Sequence, residues 1–239
     1  GGGAWAGGGD AGVVSGEGVG GYMRRTEQML RSRPLLAAVM ATNLVFGFVT
    51  VILDNVTSMQ AERDFKLSRT MNGLMSTVGV AWSVPCFFFS ENLIARYGHF
   101  ALLLGAQMLA MGQMVLHSLV TVDSAWAMVP ICCLKGAVFS LGWSSSVEFL
   151  QLSVDPHLVS TAQTMLMWSF FTVGGGLGNI FWAAVYQSFG GPVTYLAGAS
   201  VTATNILVLR WYLSRRQAQF APASGWLRFL SPVGPIRSA

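Results

Sequence analysis

Charge is what this chain has least of. Lysine, arginine, aspartate and glutamate together make up 10% of its 239 residues, against roughly 25% in an ordinary soluble domain. Soluble helices need a polar face, yet residues 101–119 and 193–209 are apolar around most of their circumference, which excludes a soluble helical core. Cysteine is equally scarce. Cys86, Cys132 and Cys133 all fall inside apolar runs, carry no metal-ligand spacing, and read as small packing residues. No Ser-His-Asp set or His-Glu pair is present. His99, His117 and His157 are scattered over expected loops and helix ends, so they read as solvated or interfacial, and neither an enzyme nor a bound cofactor or metal is expected. The net charge of +4 sits at the ends of apolar runs without an aromatic-basic module, which excludes a nucleic-acid partner.

What the chain has instead is long apolar runs. A spanning helix needs roughly 20 mainly apolar residues to cross about 30 Å of hydrocarbon. Six segments qualify: 35–53, 71–89, 100–119, 125–149, 160–189 and 193–212. With 53% hydrophobic residues and a mean hydropathy of +0.54, the fold class expected is an all-α integral membrane protein, a six-helix transmembrane bundle over residues 34–216. Residues 1–33 read as a flexible Gly-rich segment followed by a basic cytoplasmic linker, without a signal peptide. The absence of an initiator Met, together with the linker, suggests a fragment or an incomplete gene model. Residues 217–239 read as a disordered cytoplasmic tail, in which Trp226 and Phe229 could rest on the inner leaflet.

Lysine and arginine concentrate on the cytoplasmic side of membrane proteins. Arg24, Arg25, Arg31 and Arg33 precede the first run, and Arg210, Arg215 and Arg216 close the last. Both termini are therefore expected inside, with Arg96 on the same side. The longest external loop is expected over residues 54–70, where Asn55, Val56 and Thr57 form an N-glycosylation sequon.

Polar side chains within spans are costly, so they usually face other helices or water. Asn43, Gly47, Thr50 and Asp54 share one face of the first span. Asn72, Ser76, Gly79 and Ser83 do so on the second, and Lys135, Gly142 and Ser146 on the fourth, with Cys132 beside them. Close packing explains the Gly and Ser positions but requires neither an amide nor an ammonium. Lys135 is the sharpest residue, because a lysine near mid-span costs about 2.5–3.5 kcal/mol to insert. Asp54 and Glu148 read as lying near span ends, so the partner of Lys135 is expected outside this sequence or in a ligand. In the fifth span Gly174, Gly175 and Gly178, followed by Asn179, read as a helix-packing surface able to slide or bend.

Several stretches resemble a known family: residues 71–75 (MNGLM), 84–90 (VPCFFFS), 92–99 (NLIARYGH), 134–139 (LKGAVF) with Trp143, 155–163 (DPHLVSTAQ) and 186–190 (YQSFG). In order and spacing they resemble the C-terminal half of a major facilitator superfamily transporter of the lactose-permease-like (MFS_1-like) subgroup. The resemblance implies two six-helix halves around a central cavity lined by the first and fourth helices of each half, working by alternating access. It also implies a partner, the N-terminal half or a second copy. On that basis the chain is expected to be a secondary active transporter, in the lipid bilayer, for a small polar or anionic solute, with proton symport as an option. Lys135, Asn43, Thr50, Asp54, Ser83 and Ser146 are the expected substrate or coupling residues. The alternative is a non-transporting receptor or scaffold on the same fold. Ser83 stands where relatives carry an acid, Gln113 near where they carry an arginine, and Lys135 where a histidine is common, so titratable groups for proton coupling are few.

Overall fold

The structure, a computed structural model, describes residues 33–220, with side chains through Arg215. The expected linker and tail fall almost wholly outside the described residues, as do Arg24, Arg25, Arg31 and Trp226. The chain divides into two units, 1–37 and 38–239, and the bundle below belongs to the second. Among the described residues 93% are helical and none lies in a strand, as hydrocarbon requires of a chain that must satisfy its own backbone.

The elements run α1 (Pro34–Val51), a π-helical turn (Ile52–Val56), α2 (Thr57–Arg63), α3 (Arg69–Tyr97), α4 (His99–Ser118), a 3₁₀ turn (Val122–Ala127), α5 (Met128–Ser153), a 3₁₀ turn (Pro156–Leu158), α6 (Val159–Met167), a second π-helical stretch (Trp168–Gly175) and α7 (Gly176–Phe220). Five continuous helical stretches are long and apolar enough to cross a membrane, the last being the 60 residues Pro156–Arg215. At 1.5 Å per residue that stretch would be about 90 Å long, three times the hydrocarbon thickness. It breaks at Gly190, where φ is +78° and ψ 178°, a conformation open essentially to glycine alone. The two arms then run in opposite directions along the first span. On the outgoing arm Trp182 Nε1 donates to the Phe48 carbonyl (2.8 Å) and Tyr186 Oη to Asp64 (3.0 Å). On the returning arm Tyr195 Oη donates to Gln60 (2.9 Å) and Asn205 Nδ2 to the Thr42 carbonyl (3.3 Å). The fold is therefore a six-span bundle.

Two expectations need correction here. The first span does not stop at residue 53. Its helix continues through the π turn and α2 to Arg63, leaving only residues 64–68 between it and α3. Of the charged residues that read as a loop, Asp54, Glu62 and Arg63 are on the helix, where Glu62 accepts from Asn72 Nδ2 (2.7 Å), and Asp64 caps its end and accepts from Tyr186. The sequon consequently lies within helix, with Thr57 buried and its hydroxyl bonded to the Ile52 carbonyl (3.2 Å). His117, expected at a wet helix end, is completely buried and stacks on the Tyr195 ring at 5.3 Å. Because α7 folds back over α4, it covers a position that lies near the end of its own helix.

Small residues set the helix spacing. A β-carbon on Gly174 or Gly178 would overlap the Leu44 or Phe48 carbonyl oxygen, and one on Gly136 would overlap the Gly79 carbonyl. The first span thus packs backbone-to-backbone on the fifth, and α3 on α5, as small residues permit in membranes. Gly98 makes the tight turn between α3 and α4. Its φ is +84° and its ψ an extended 160°, a combination that favours glycine.

Candidate functional site

Between the first span, α3 at Val80, α5 and the stretch running from the second π-helical segment into α7 lies a cavity of about 520 Å³. Both π-helical stretches contribute to its wall. The first supplies Leu53, Asp54 and Asn55, the second Phe170, Phe171 and Gly175. A π turn carries one extra residue and re-aims side chains locally, which is why such turns are frequent at functional sites.

Lys135 Nζ is ion-paired with Asp54 Oδ1 across the cavity wall. The partner of Lys135 is thus in this chain, on the first span. The sequence reading placed Asp54 at a span end because the polar run after it masks the continuing helix. The side chains are 26% and 48% exposed respectively, so the pair is neither fully desolvated nor free in water. Beside it, Asn55 Nδ2 donates to Asn179 Oδ1, and Thr50 donates to the Gly47 carbonyl (3.2 Å). The other side of the cavity is aromatic. Phe139, Phe170 and Phe171 pack with ring centroids 4.8 to 6.3 Å apart, and Trp143 stacks behind Phe139 at 6.0 Å.

Of the residues singled out from sequence, Lys135, Asp54 and Thr50 meet at this cavity. Asn43 and Ser146 meet each other instead. Both are buried, Asn43 eleven residues from Asp54 on the first span and Ser146 eleven from Lys135 on α5, roughly 16 Å along each helix, with Asn43 Nδ2 donating to Ser146 Oγ at 3.0 Å. Ser83 is half-buried on α3 and donates to the Val80 carbonyl (2.6 Å), outside the cavity lining. Gly174 and Gly178 lie in the close helix contact described above. Gly175 differs, because a β-carbon there would make only ordinary contacts, and it lines the cavity. Asn55, Asn179 and the three phenylalanines were missed as site residues. Asn179 directly after the glycine cluster was the one available signal.

The family model described as the MFS_1 like family matches residues 20–197, most of the described bundle. The chain belongs to this family. The family is of the major facilitator transporter type rather than an enzyme family, and with its apolar spans this MFS_1-like chain is an integral, multi-pass membrane protein.

Proposed function

We propose that the chain is the C-terminal six-helix half of a secondary active transporter that moves a small polar solute by alternating access. The observation that carries this reading is the Asp54–Lys135 pair, set on the wall of a solute-sized cavity inside a membrane bundle. Ionisable residues within spans are costly and mark solute or ion pathways, and carrier sites lie near the midplane at the interface between repeats. The second bundle needed to close the cavity is an N-terminal half or another copy of this chain, with both termini cytoplasmic as the arginines suggest. Thr50 serves as a hydrogen-bonding wall group. The Gly174 and Gly178 contact serves as the surface on which the fifth span slides against the first. Asn43 and Ser146 act through packing of α1 on α5. Lys135 already holds a carboxylate, so the cavity has no net positive charge to offer a simple anion, and the anionic branch of the sequence reading is the weaker one.

The test is uptake of labelled solutes into proteoliposomes, with and without an imposed pH gradient. Solute accumulation above protein-free liposomes supports a carrier, and its dependence on the gradient reports proton coupling. Specific solute binding with no flux in either condition would favour the receptor reading and contradict this one.

A further inference from the structure

The polar groups on the cavity wall come in complementary couples, and this bears on what the cavity accepts. Asp54 and Lys135 are one negative and one positive group in direct contact. No other ionisable side chain lines the cavity among the described residues. The carboxamides of Asn55 and Asn179 are bonded to each other through one N–H and one carbonyl, which leaves Asn55 Oδ1 wholly available as an acceptor and the Asn179 NH₂ group as a donor, besides the second N–H of Asn55 and the second lone pair of Asn179 Oδ1. Facing these couples is the apolar wall of Phe139, Phe170 and Phe171.

A ligand must either leave the ion pair closed or open it. A lone anion on Lys135 would leave the Asp54 carboxylate without its counter-ion on a partly exposed wall, and a lone cation on Asp54 would do the same to the ammonium. Breaking a partly buried pair from one side is far costlier than replacing both partners together. A neutral polyol must compete with the pair for each group and replaces neither charge. A molecule that carries an ammonium and a carboxylate a few ångströms apart can take both places at once, so that every charge stays paired.

The geometry points to a zwitterionic substrate of the amino-acid type. Its ammonium faces Asp54 and Asn55 Oδ1, its carboxylate faces Lys135 and Asn179 Nδ2, and its apolar side group lies on the phenylalanine wall. This assignment rests on the carrier reading for its physiological meaning, but the binding chemistry stands apart from it.

The probe is L-phenylalanine, offered to the full chain in lipid nanodiscs and followed by scintillation proximity. N-acetyl-L-phenylalanine keeps only the carboxylate, L-phenylalaninamide only the ammonium, and a hexose stands for the neutral polyols. The zwitterion is expected to bind, with either single-charge analogue roughly ten- to hundredfold weaker through loss of a charged hydrogen bond. The paired change of Asp54→Asn with Lys135→Gln is expected to abolish binding while the protein stays folded by thermal unfolding. Equal binding of the N-acetyl form, binding of the hexose alone, or no binding of any probe would overturn the assignment. Proteoliposome uptake separates the two claims. Phenylalanine binding without uptake removes the carrier reading and keeps the site, whereas hexose uptake without phenylalanine binding does the reverse.

Discussion

Replacing Asp54 by asparagine keeps the shape of the side chain and removes its charge, leaving the Lys135 ammonium on the cavity wall without a counter-ion. The cost can be bracketed. Stranding one member of a fully buried pair costs about 3–5 kcal/mol, while a surface pair contributes about 0–1 kcal/mol. With Lys135 26% and Asp54 48% exposed, the site falls between, and about 1–3 kcal/mol is expected for Asp54→Asn. For a chain of this size that corresponds to a Tm lower by roughly 2–12 °C, readable by thermal unfolding in nanodiscs. The double change of Asp54→Asn with Lys135→Gln leaves no stranded charge and should recover to within about 1 kcal/mol of the parent. A double-mutant cycle isolates that recovery as a coupling between the two residues. An Asp54→Asn protein as stable as the parent, or a double mutant whose loss equals the sum of the singles, would refute the reasoning that the pair balances an intramembrane charge.

Three further outcomes follow from the packing. Gly178→Val should prevent stable assembly, because a β-carbon there overlaps the Phe48 carbonyl, whereas Gly176→Ala, with nothing within 4 Å, should be tolerated; size-exclusion profiles of the two purified variants give the comparison. A cycle of Asn43→Ala and Ser146→Ala should show a coupling of about 0.5–2 kcal/mol, the range of buried interhelical hydrogen bonds in membranes, and a value near zero would mean their bond contributes nothing. Gln113 is completely buried with neither polar atom partnered; since such groups cost about 1–3 kcal/mol, Gln113→Leu should raise Tm, and a fall would show that the amide has a partner in the folded protein.

Hydropathy and charge spacing made the bundle legible, because a span announces itself by length. They also located Lys135, Asp54 and the glycine cluster. What they hid has identifiable causes. The polar run after residue 53 looks like a loop, yet the helix carries it through Arg63 because its charges have neighbours to meet: Glu62 meets Asn72, and Asp64, capping the end, meets Tyr186. That misreading alone concealed the Asp54–Lys135 pair. The phenylalanine wall was invisible because an aromatic facing a cavity and one facing lipid have the same hydropathy. Phe139 and Phe171 are no more apolar than Phe88, which is exposed on α3. Asn43 stood out as a costly amide in a span and Ser146 as part of a small-residue stripe, but their spacing along α1 and α5 could not reveal that the two side chains bond to each other.

Exposure of the Asp54 position to water is the most direct measurement of the central claim. Asp54→Cys, built with Cys86→Ala, Cys132→Ala and Cys133→Ala, is treated in proteoliposomes with a charged, membrane-impermeant thiol reagent. Leu207→Cys, on the exposed apolar face of α7, provides the lipid-side comparison. A wet, solute-sized cavity predicts rapid modification at position 54 and little at 207. An Asp54→Cys thiol as inert as the one at 207 would contradict the account.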